Sequence, residues 1–201
     1  MVADWKNPYK TMDYKFEANI IRSLGKIIEA GHLHRGSKPV YWCEECGSAL
    51  AEAEVEYIDK ESKAIDFLFP IQSDQLKDIF KTISSENVFV ASWTTTPWTI
   101  PSNKAICFNS KFTYELIELK FKGKILNLLI CSDLIEATLE RYELDKYTKL
   151  GKVTGDKLSG LICNHPFLDQ KSPLISGDHV TQEMGTGFVH TAPAHGLEDY
   201  E

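Results

Sequence analysis

The chain has 201 residues, 43% of them hydrophobic and 25% charged, with a formal net charge of −7. This is the composition of a globular protein and excludes a disordered one, and the acidic balance argues against a free-standing, non-specific nucleic-acid binder, which gains affinity by neutralising phosphates. No apolar run approaches a membrane span, Met1-Val2-Ala3-Asp4-Trp5-Lys6 lacks a signal-peptide core, and five cysteines, two of them in a Cys-x-x-Cys, indicate a reducing cytoplasm and not a disulfide framework.

Residues 4–14 read as an extended polar and aromatic lead-in. Phe16, Ile20, Leu24, Ile27 and Ile28 recur at helical spacing and predict an amphipathic helix, with Gly31 as its stop. His32 and His34 stand two apart, cannot share a helix face, and are assigned to surface or packing roles. Residues 40–42 read as a short strand running into Cys43-Glu44-Glu45-Cys46-Gly47. That is the shape of half a zinc knuckle, in which a turn aims two sulfurs at one ion. A structural site needs four ligands, and Cys107, Cys131 and Cys163 stand singly in apolar contexts that indicate burial. Cys43 and Cys46 therefore read as an unfilled half-site, with bound zinc as the alternative. A thioredoxin-like redox pair is disfavoured because no long helix follows Cys46.

A domain boundary is placed after residue 53. Residues 1–53 form a connector with the helix and the half knuckle; residues 54–201 form the main domain. Residues 55–58 and 64–69 read as strands around a charged turn. Ser73 is set to cap a short helix whose Leu76, Ile79, Phe80 and Ile83 make a core-facing stripe. Residues 88–91 read as a buried strand. Residues 105–108 read as another, and residues 113–119 and 124–130 as a hairpin around Lys122-Gly123. Ser132 is expected to cap a helix over residues 133–142, with Ile135, Leu139 and Tyr142 on one face. Gly185-Thr186-Gly187 permits a tight turn into a strand over Phe188–Thr191, Pro193 ends that strand, and a helix can begin at Leu197. Many short strands with few short helices predict an α+β, mainly β class: a barrel-like domain decorated by helices.

The most informative stretch is Ser92-Trp93-Thr94-Thr95-Thr96-Pro97-Trp98-Thr99-Ile100-Pro101-Ser102-Asn103. So many β-branched residues around two prolines oppose a helix. The stretch reads as a strand end entering a rigid turn that presents hydroxyls beside aromatic walls, the make-up of a small pocket. An ordinary β-edge and turn is the plain alternative. There is no Gly-x-Ser-x-Gly elbow and no Walker loop.

Trp93-Thr94-Thr95-Thr96-Pro97-Trp98-Thr99 with Pro101 and Asn103 resembles the threonine-rich signature of the editing (CP1) domain of isoleucyl-tRNA synthetases, in the class I aminoacyl-tRNA synthetase family. The valine and leucine relatives carry an arginine in place of Thr96 and an acidic residue in place of Trp98. Gly185-Thr186-Gly187-Phe188-Val189-His190-Thr191-Ala192-Pro193-Ala194-His195-Gly196-Leu197-Glu198-Asp199-Tyr200 is similar to the other wall of the same pocket. The resemblance spans nearly the whole chain and is weakest over residues 108–158. It implies a domain that continues past Glu201, a second Cys-x-x-Cys beyond this chain, and zinc in the full-length parent enzyme. The family's His-x-Gly-His and Lys-Met-Ser-Lys-Ser signatures are absent, so no activation of an amino acid with ATP is expected from this chain.

What the resemblance implies is hydrolysis of valine mis-esterified to isoleucine tRNA, at the tRNA 3′ end, within the parent synthetase, in the cytoplasm, and without a cofactor for editing. Isoleucine synthetases are the standard example of the need for it: one methylene lets a hydrophobic pocket discriminate by only roughly 1–3 kcal/mol. Asp199 is expected to hold the α-ammonium, with helix N-terminal stabilisation as the alternative. His190 is expected to act as a size gate; a base or a packed core histidine are its alternatives. Thr94, Thr95, Thr96 and Thr99 supply hydroxyls to the terminal adenosine and the ester, and a threonine is too weakly acidic to serve as the nucleophile without an adjacent base. Asn103 binds substrate or holds the turn, Trp93 and Trp98 form walls, and Thr191 and Ala192 line the substrate. A positioned water is the expected nucleophile, with the neighbouring ribose hydroxyl assisting. Ala194, where glycine is usual, is expected to restrict the loop between His190 and Asp199. A non-catalytic zinc-knuckle module binding RNA or a partner, and a deacylase acting in trans, are the competing readings.

Overall fold

The computed structural model describes residues 4–80 and 87–200. It divides into two compact units, Met1–Lys38 and Pro39–Glu201. In the first, helix α1 spans Tyr14–Glu29, where the apolar spacing predicts it. Gly31 ends it at φ +78°, which lets the His32 N–H reach the Ile27 carbonyl (3.2 Å) and the Gly31 N–H the Ile28 carbonyl (2.9 Å). This paired closure satisfies carbonyls the helix cannot bond itself. Tyr9 packs edge-on against Phe16, while Ile20, Leu24, Ile27 and Ile28 are exposed in this unit.

The second unit opens with a small antiparallel hairpin, β1 (Trp42–Cys43) and β2 (Ser48–Ala49), followed by a 3-10 turn at Glu52–Glu54. The strand expected over residues 55–58 does not form. The candidate partner β3 (Ile65–Ile71) pairs along its whole length with β4 (Val88–Thr94) and, at Ile71 alone, with β9 (Ile162–Asn164), and residues 55–58 stay outside this ladder. The helix expected from Ser73 is a single 3-10 turn, Ser73–Leu76, with Gln72 in the capping position. Leu76 and Phe80 are buried as the stripe predicts, and Ile83 lies outside the described residues.

After β4 comes a 3-10 helix at Pro97–Ser102, with Pro97 in its first position. The expected turn is thus a helical one. A 3-10 coil starts comfortably on proline, whose φ is already helical and whose missing N–H costs nothing there. Then follow β5 (Ala105–Phe108), β6 (Thr113–Phe121) and β7 (Lys124–Cys131). Lys122 (φ 47°) and Gly123 (φ 83°) join β6 to β7 with both central residues left-handed, the turn whose twist suits a two-residue hairpin. A 3-10 turn, Ser132–Leu134, leads into helix α2 (Ile135–Arg141). Cys131, not Ser132, takes the cap position, and no side chain caps it. β8 (Tyr147–Thr154), β9, β10 (Lys171–Ser176), β11 (Phe188–Thr191) and the four-residue α3 (Leu197–Tyr200) complete the order.

Among the described residues the sheet runs β11-β5-β10-β9-β3-β4-β7-β6-β8, and β11 also pairs with β4. That last pairing closes the first six strands of this order into a barrel and leaves β7, β6 and β8 as an extension beside β4. It is parallel and short, with Val189 opposite Trp93. Residues at alternate positions along the strands, Phe69, Val88, Val90, Ile106, Phe108, Leu174 and Phe188 among them, fill the barrel. A second cluster, Ala91, Ile117, Leu128, Ile130, Ile135 and Leu139, packs α2 onto the outer face. Gly187 makes the approach to β11 possible: its φ is +80°, and a Cβ there would sit 2.2 Å from Cys131 Cβ.

Candidate active site

At one end of the barrel the inward positions change from apolar to polar. Ser92 and Thr94 on β4, Ser172 on β10 and His190 on β11 point inward there, with Phe67 of β3 edge-on to the His190 ring at 5.9 Å. The 3-10 helix at Pro97–Ser102 folds over this end and adds Thr99 and Asn103. The closing contacts are close by. Ser92 Oγ donates to the Phe188 carbonyl (3.2 Å), and Thr186 Oγ1 donates to the Ala91 carbonyl (2.6 Å). The two sequence motifs thus share one wall.

His190 is 6% exposed and both its ring nitrogens are engaged. Nε2 lies 2.8 Å from Thr99 Oγ1, and Nδ1 lies 2.9 Å from Asn103 Nδ2. Thr99 Oγ1 also reaches the Thr96 carbonyl at 2.8 Å. A carbonyl only accepts, so the single hydroxyl proton of Thr99 goes there, and Nε2 must carry the proton it shares with Thr99. Asn103 Nδ2 also donates to the Ala105 carbonyl (2.7 Å), which fixes the amide with its nitrogen towards His190. Nδ1 must then accept. Both sides of the ring give the same answer: a neutral imidazole protonated at Nε2. Burial pushes the His190 pKa below the ordinary histidine value, His165 and His195 add to this, and the Asp199 carboxylate opposes it. The stability contributed by the neutral ring is therefore full above the ordinary histidine pKa and is lost as pH falls through the lowered folded value.

The hydroxyls of the signature form a chain. Thr94 Oγ1 meets Thr96 Oγ1 at 3.2 Å and accepts the Thr96 N–H at 3.0 Å, and Thr96 Oγ1 lies 3.5 Å from Thr99 Oγ1. Thr94 and Thr99 are buried; Thr95 and Thr96 are exposed, and the Thr95 carbonyl accepts from Ser62 Oγ at 2.6 Å. Trp93 is half-buried against Gly185, whereas Trp98 is 67% exposed on the outside of the 3-10 turn. Thr191, next to His190 on β11, points to the other side of the strand, where its Oγ1 meets Cys107 Sγ at 3.0 Å.

Asp199 sits on α3 and its Oδ2 accepts the Ala192 N–H at 2.8 Å, so this carboxylate closes the loop back onto the end of β11. The loop turns through Ala192–His195 with the His195 N–H on the Ala192 carbonyl at 2.9 Å. Ala194 introduces no strain: among the described non-glycine residues positive φ is confined to Lys122 and Glu143. On the far side of the approach to β11, Arg141 grips Asp66 with two hydrogen bonds (3.1 and 3.0 Å) and the Gly185 carbonyl (3.2 Å).

The sequence reading missed three residues behind the 3-10 turn. Ser172 Oγ donates to Asn103 Oδ1 at 2.6 Å, and Gln170 Nε2 donates to the Asn103 carbonyl. His165 donates from Nε2 to the Ile100 carbonyl at 2.9 Å and accepts the Phe167 and Leu168 N–H groups at Nδ1. No periodicity or motif marks them, because their partners lie about seventy residues away. A separate recess on the outer sheet face, lined by Leu68, Leu119, Phe121, Leu126, Leu128 and Tyr142 with Asp66 among them, is mostly apolar and holds no predicted site residue.

The cysteines divide as expected for burial: Cys107, Cys131 and Cys163 are buried and all five are free. Cys43 and Cys46 face each other across the β1–β2 turn, and the Cys46 N–H on Cys43 Sγ (3.3 Å) lowers the Cys43 pKa. Among the described residues no third histidine, cysteine or carboxylate joins them. Two sulfurs supply half of a tetrahedral zinc site, so these residues alone do not fit one.

If the amide of Asn103 keeps His190 neutral, a carboxylate in its place will do the reverse. In Asn103→Asp, Nδ1 gains an anionic acceptor, and the His190 pKa, followed by NMR titration, rises by about one to three pH units. An unchanged or lower value would contradict the hydrogen-bond assignment.

A family model for tRNA synthetases class I (I, L, M and V) matches residues 1–150. The isoleucine–tRNA ligase of Colwellia psychrerythraea is 50% identical over 202 residues, covering 98% of this chain and 21% of the relative. That of Shewanella pealeana is 51% identical over 201 residues, again 98% and 21%. The chain thus spans about a fifth (21%) of the length of these curated relatives. Among solved structures, GlLeuRS-CP1 superposes with a TM-score of 0.57 at 14% identity, covering 69% of this chain and 57% of that one. The editing domain of the Plasmodium knowlesi cytosolic leucyl-tRNA synthetase gives 0.56 at 15% identity, covering 70% and 60%. At such identities the likeness is one of fold, and the fold is that of an editing domain. The chain belongs to the class I tRNA synthetases of the isoleucine, leucine, methionine and valine group; 98% of it matches a fifth (21%) of an isoleucine–tRNA ligase, and its fold is similar to that of leucyl-tRNA synthetase editing domains.

Proposed function

We propose that this chain is the editing module of an isoleucine synthetase and hydrolyses valine mis-esterified to isoleucine tRNA. The observation that carries the reading is the meeting of both motifs at one barrel end, with a neutral His190 held between Thr99 and Asn103. Residues 54–201 are proposed as the hydrolytic domain and residues 1–53 as its connector. Its partners are the 3′ end of the charged tRNA and the rest of the parent synthetase, acting in the cytoplasm. No described helix is long and apolar enough to cross a membrane.

Water attacks the ester carbonyl carbon; the new C–O bond forms as the bond to the ribose oxygen breaks, and the proton lost by water ends on that oxygen. Free valine and uncharged tRNA leave. The neighbouring ribose hydroxyl assists the transfer. Position and transition-state hydrogen bonds from the Thr94, Thr95, Thr96 and Thr99 region carry the rate. His190 is not the base in this scheme, because its one lone pair faces Asn103. It occupies the space that the larger side chain of isoleucine needs. Trp93 and Trp98 border the substrate, Thr191 and Ala192 shape the strand end, and Asp199 holds the substrate ammonium while its Oδ2 closes the loop.

His190→Ala should relax specificity more than it removes activity. The vacated space admits one more methylene, favourable by about 0.8 kcal/mol from burial alone. Deacylation of valyl- and isoleucyl-tRNA by the full-length ligase carrying this sequence is the measurement, and the isoleucyl ester should become a substrate. Equal loss on both esters, by roughly a hundredfold or more, would make His190 the base instead.

Asp199→Asn separates anchoring from loop closure, since an amide oxygen still accepts from Ala192. Losing the charge should lower kcat/KM on the valyl ester by about tenfold to a hundredfold, the worth of a charge-assisted hydrogen bond. Undiminished clearance of valine would remove Asp199 from the substrate site.

A further inference from the structure

We propose that Ser172 is a positioning residue for editing: it orients the Asn103 amide and, through it, sets the tautomer and place of His190. The proposal rests on the editing reading and extends the site to strand β10, which neither motif contains.

Ser172 is completely buried, and its hydroxyl lies 2.6 Å from Asn103 Oδ1. Asn103 is also completely buried. A primary amide can be turned over with little change of shape, so its orientation is decided by its partners. On the nitrogen side those partners are the Ala105 carbonyl and His190 Nδ1; on the oxygen side the partner is Ser172 alone among the described residues. With all three in place each amide atom meets its complement. Remove the hydroxyl and Oδ1 is left as a buried acceptor without a donor, which disfavours this orientation. In the turned-over amide an oxygen would face His190 Nδ1 and the bond to the Ala105 carbonyl would be lost, so without the hydroxyl neither orientation is fully satisfied. The ring would then have to carry its proton on Nδ1, and a bare Nε2 would face a Thr99 hydroxyl whose proton is already given to Thr96.

The backbone of the same turn is braced from the same side. His165 holds the Ile100 carbonyl and Gln170 the Asn103 carbonyl. The segment from His165 to Ser172 therefore supports both the main chain of the turn and the Asn103 side chain that meets His190 Nδ1. Ser172 reaches no substrate in this arrangement; it acts through Asn103.

The test compares Ser172→Thr with Ser172→Val, which have the same shape and differ in the hydroxyl, alongside Ser172→Ala. In the full-length ligase carrying this sequence, the ratio of kcat/KM for valyl- over isoleucyl-tRNA deacylation should fall about tenfold in the Val and Ala variants, the worth of one buried hydrogen bond. The Thr variant should retain it. In the 201-residue chain, the ¹⁵N resonances of the His190 ring should move towards an averaged pair of tautomers in Val and stay native-like in Thr. If Val and Thr give the same ratio and the same ring spectrum, Ser172 is a packing residue and the proposal fails. If the native ligase deacylates neither ester, the editing reading fails instead, and the ring spectra still decide the role of Ser172.

Discussion

The barrel closes through a single short parallel contact, and everything at the candidate site depends on it. Val189 of β11 comes opposite Trp93 of β4, flanked by Ser92 on the Phe188 carbonyl and Thr186 on the Ala91 carbonyl. Such a contact between distant segments carries the loop-closure entropy of the chain between them. It is repaid by the apolar barrel interior, where Phe188 packs with Val90, Ile106 and Phe108. Gly187 is the steric condition for it, since any side chain there would overlap Cys131. The Arg141 fork on Asp66 and Gly185 holds the same segment from outside.

Closure places His190 against the 3-10 turn, and proton counting does the rest. One hydroxyl has one proton and one carbonyl only accepts, so the Thr96 and Ala105 carbonyls fix the direction of every bond between them through Thr99, His190 and Asn103. The result is a stiff, uncharged side chain at the place where discrimination by size is needed. An imidazolium would lose the Asn103 bond, and burial already opposes it. A gate benefits from this arrangement. A base does not, because its lone pair is committed.

Much of this was legible in the sequence. The helix ending at Gly31, the β6–β7 hairpin at Lys122-Gly123, the buried single cysteines and the mainly β barrel follow from local spacing, turn chemistry and composition. The failures have physical causes. Residues 55–58 have strand-like alternation, but a strand needs a partner, and among the described residues β3 takes β4 along its length and none pairs with 55–58. The prolines that argue against a helix at Pro97–Ser102 are compatible with a short 3-10 coil that begins on one of them. The two motifs name His190 and Asn103, yet nothing local shows that these residues touch, nor that Asp199 spends one oxygen on Ala192. Ser172, Gln170 and His165 were invisible for a related reason: their work is done across the barrel, and sequence spacing records only neighbours along the chain.

The central claim is that His190 is neutral and carries its proton on Nε2. A long-range ¹H–¹⁵N correlation spectrum of the native chain at neutral pH reads this directly. The account predicts a protonated Nε2 beside Thr99 and a bare Nδ1 beside Asn103. A proton on Nδ1, alone or in an imidazolium, would contradict it.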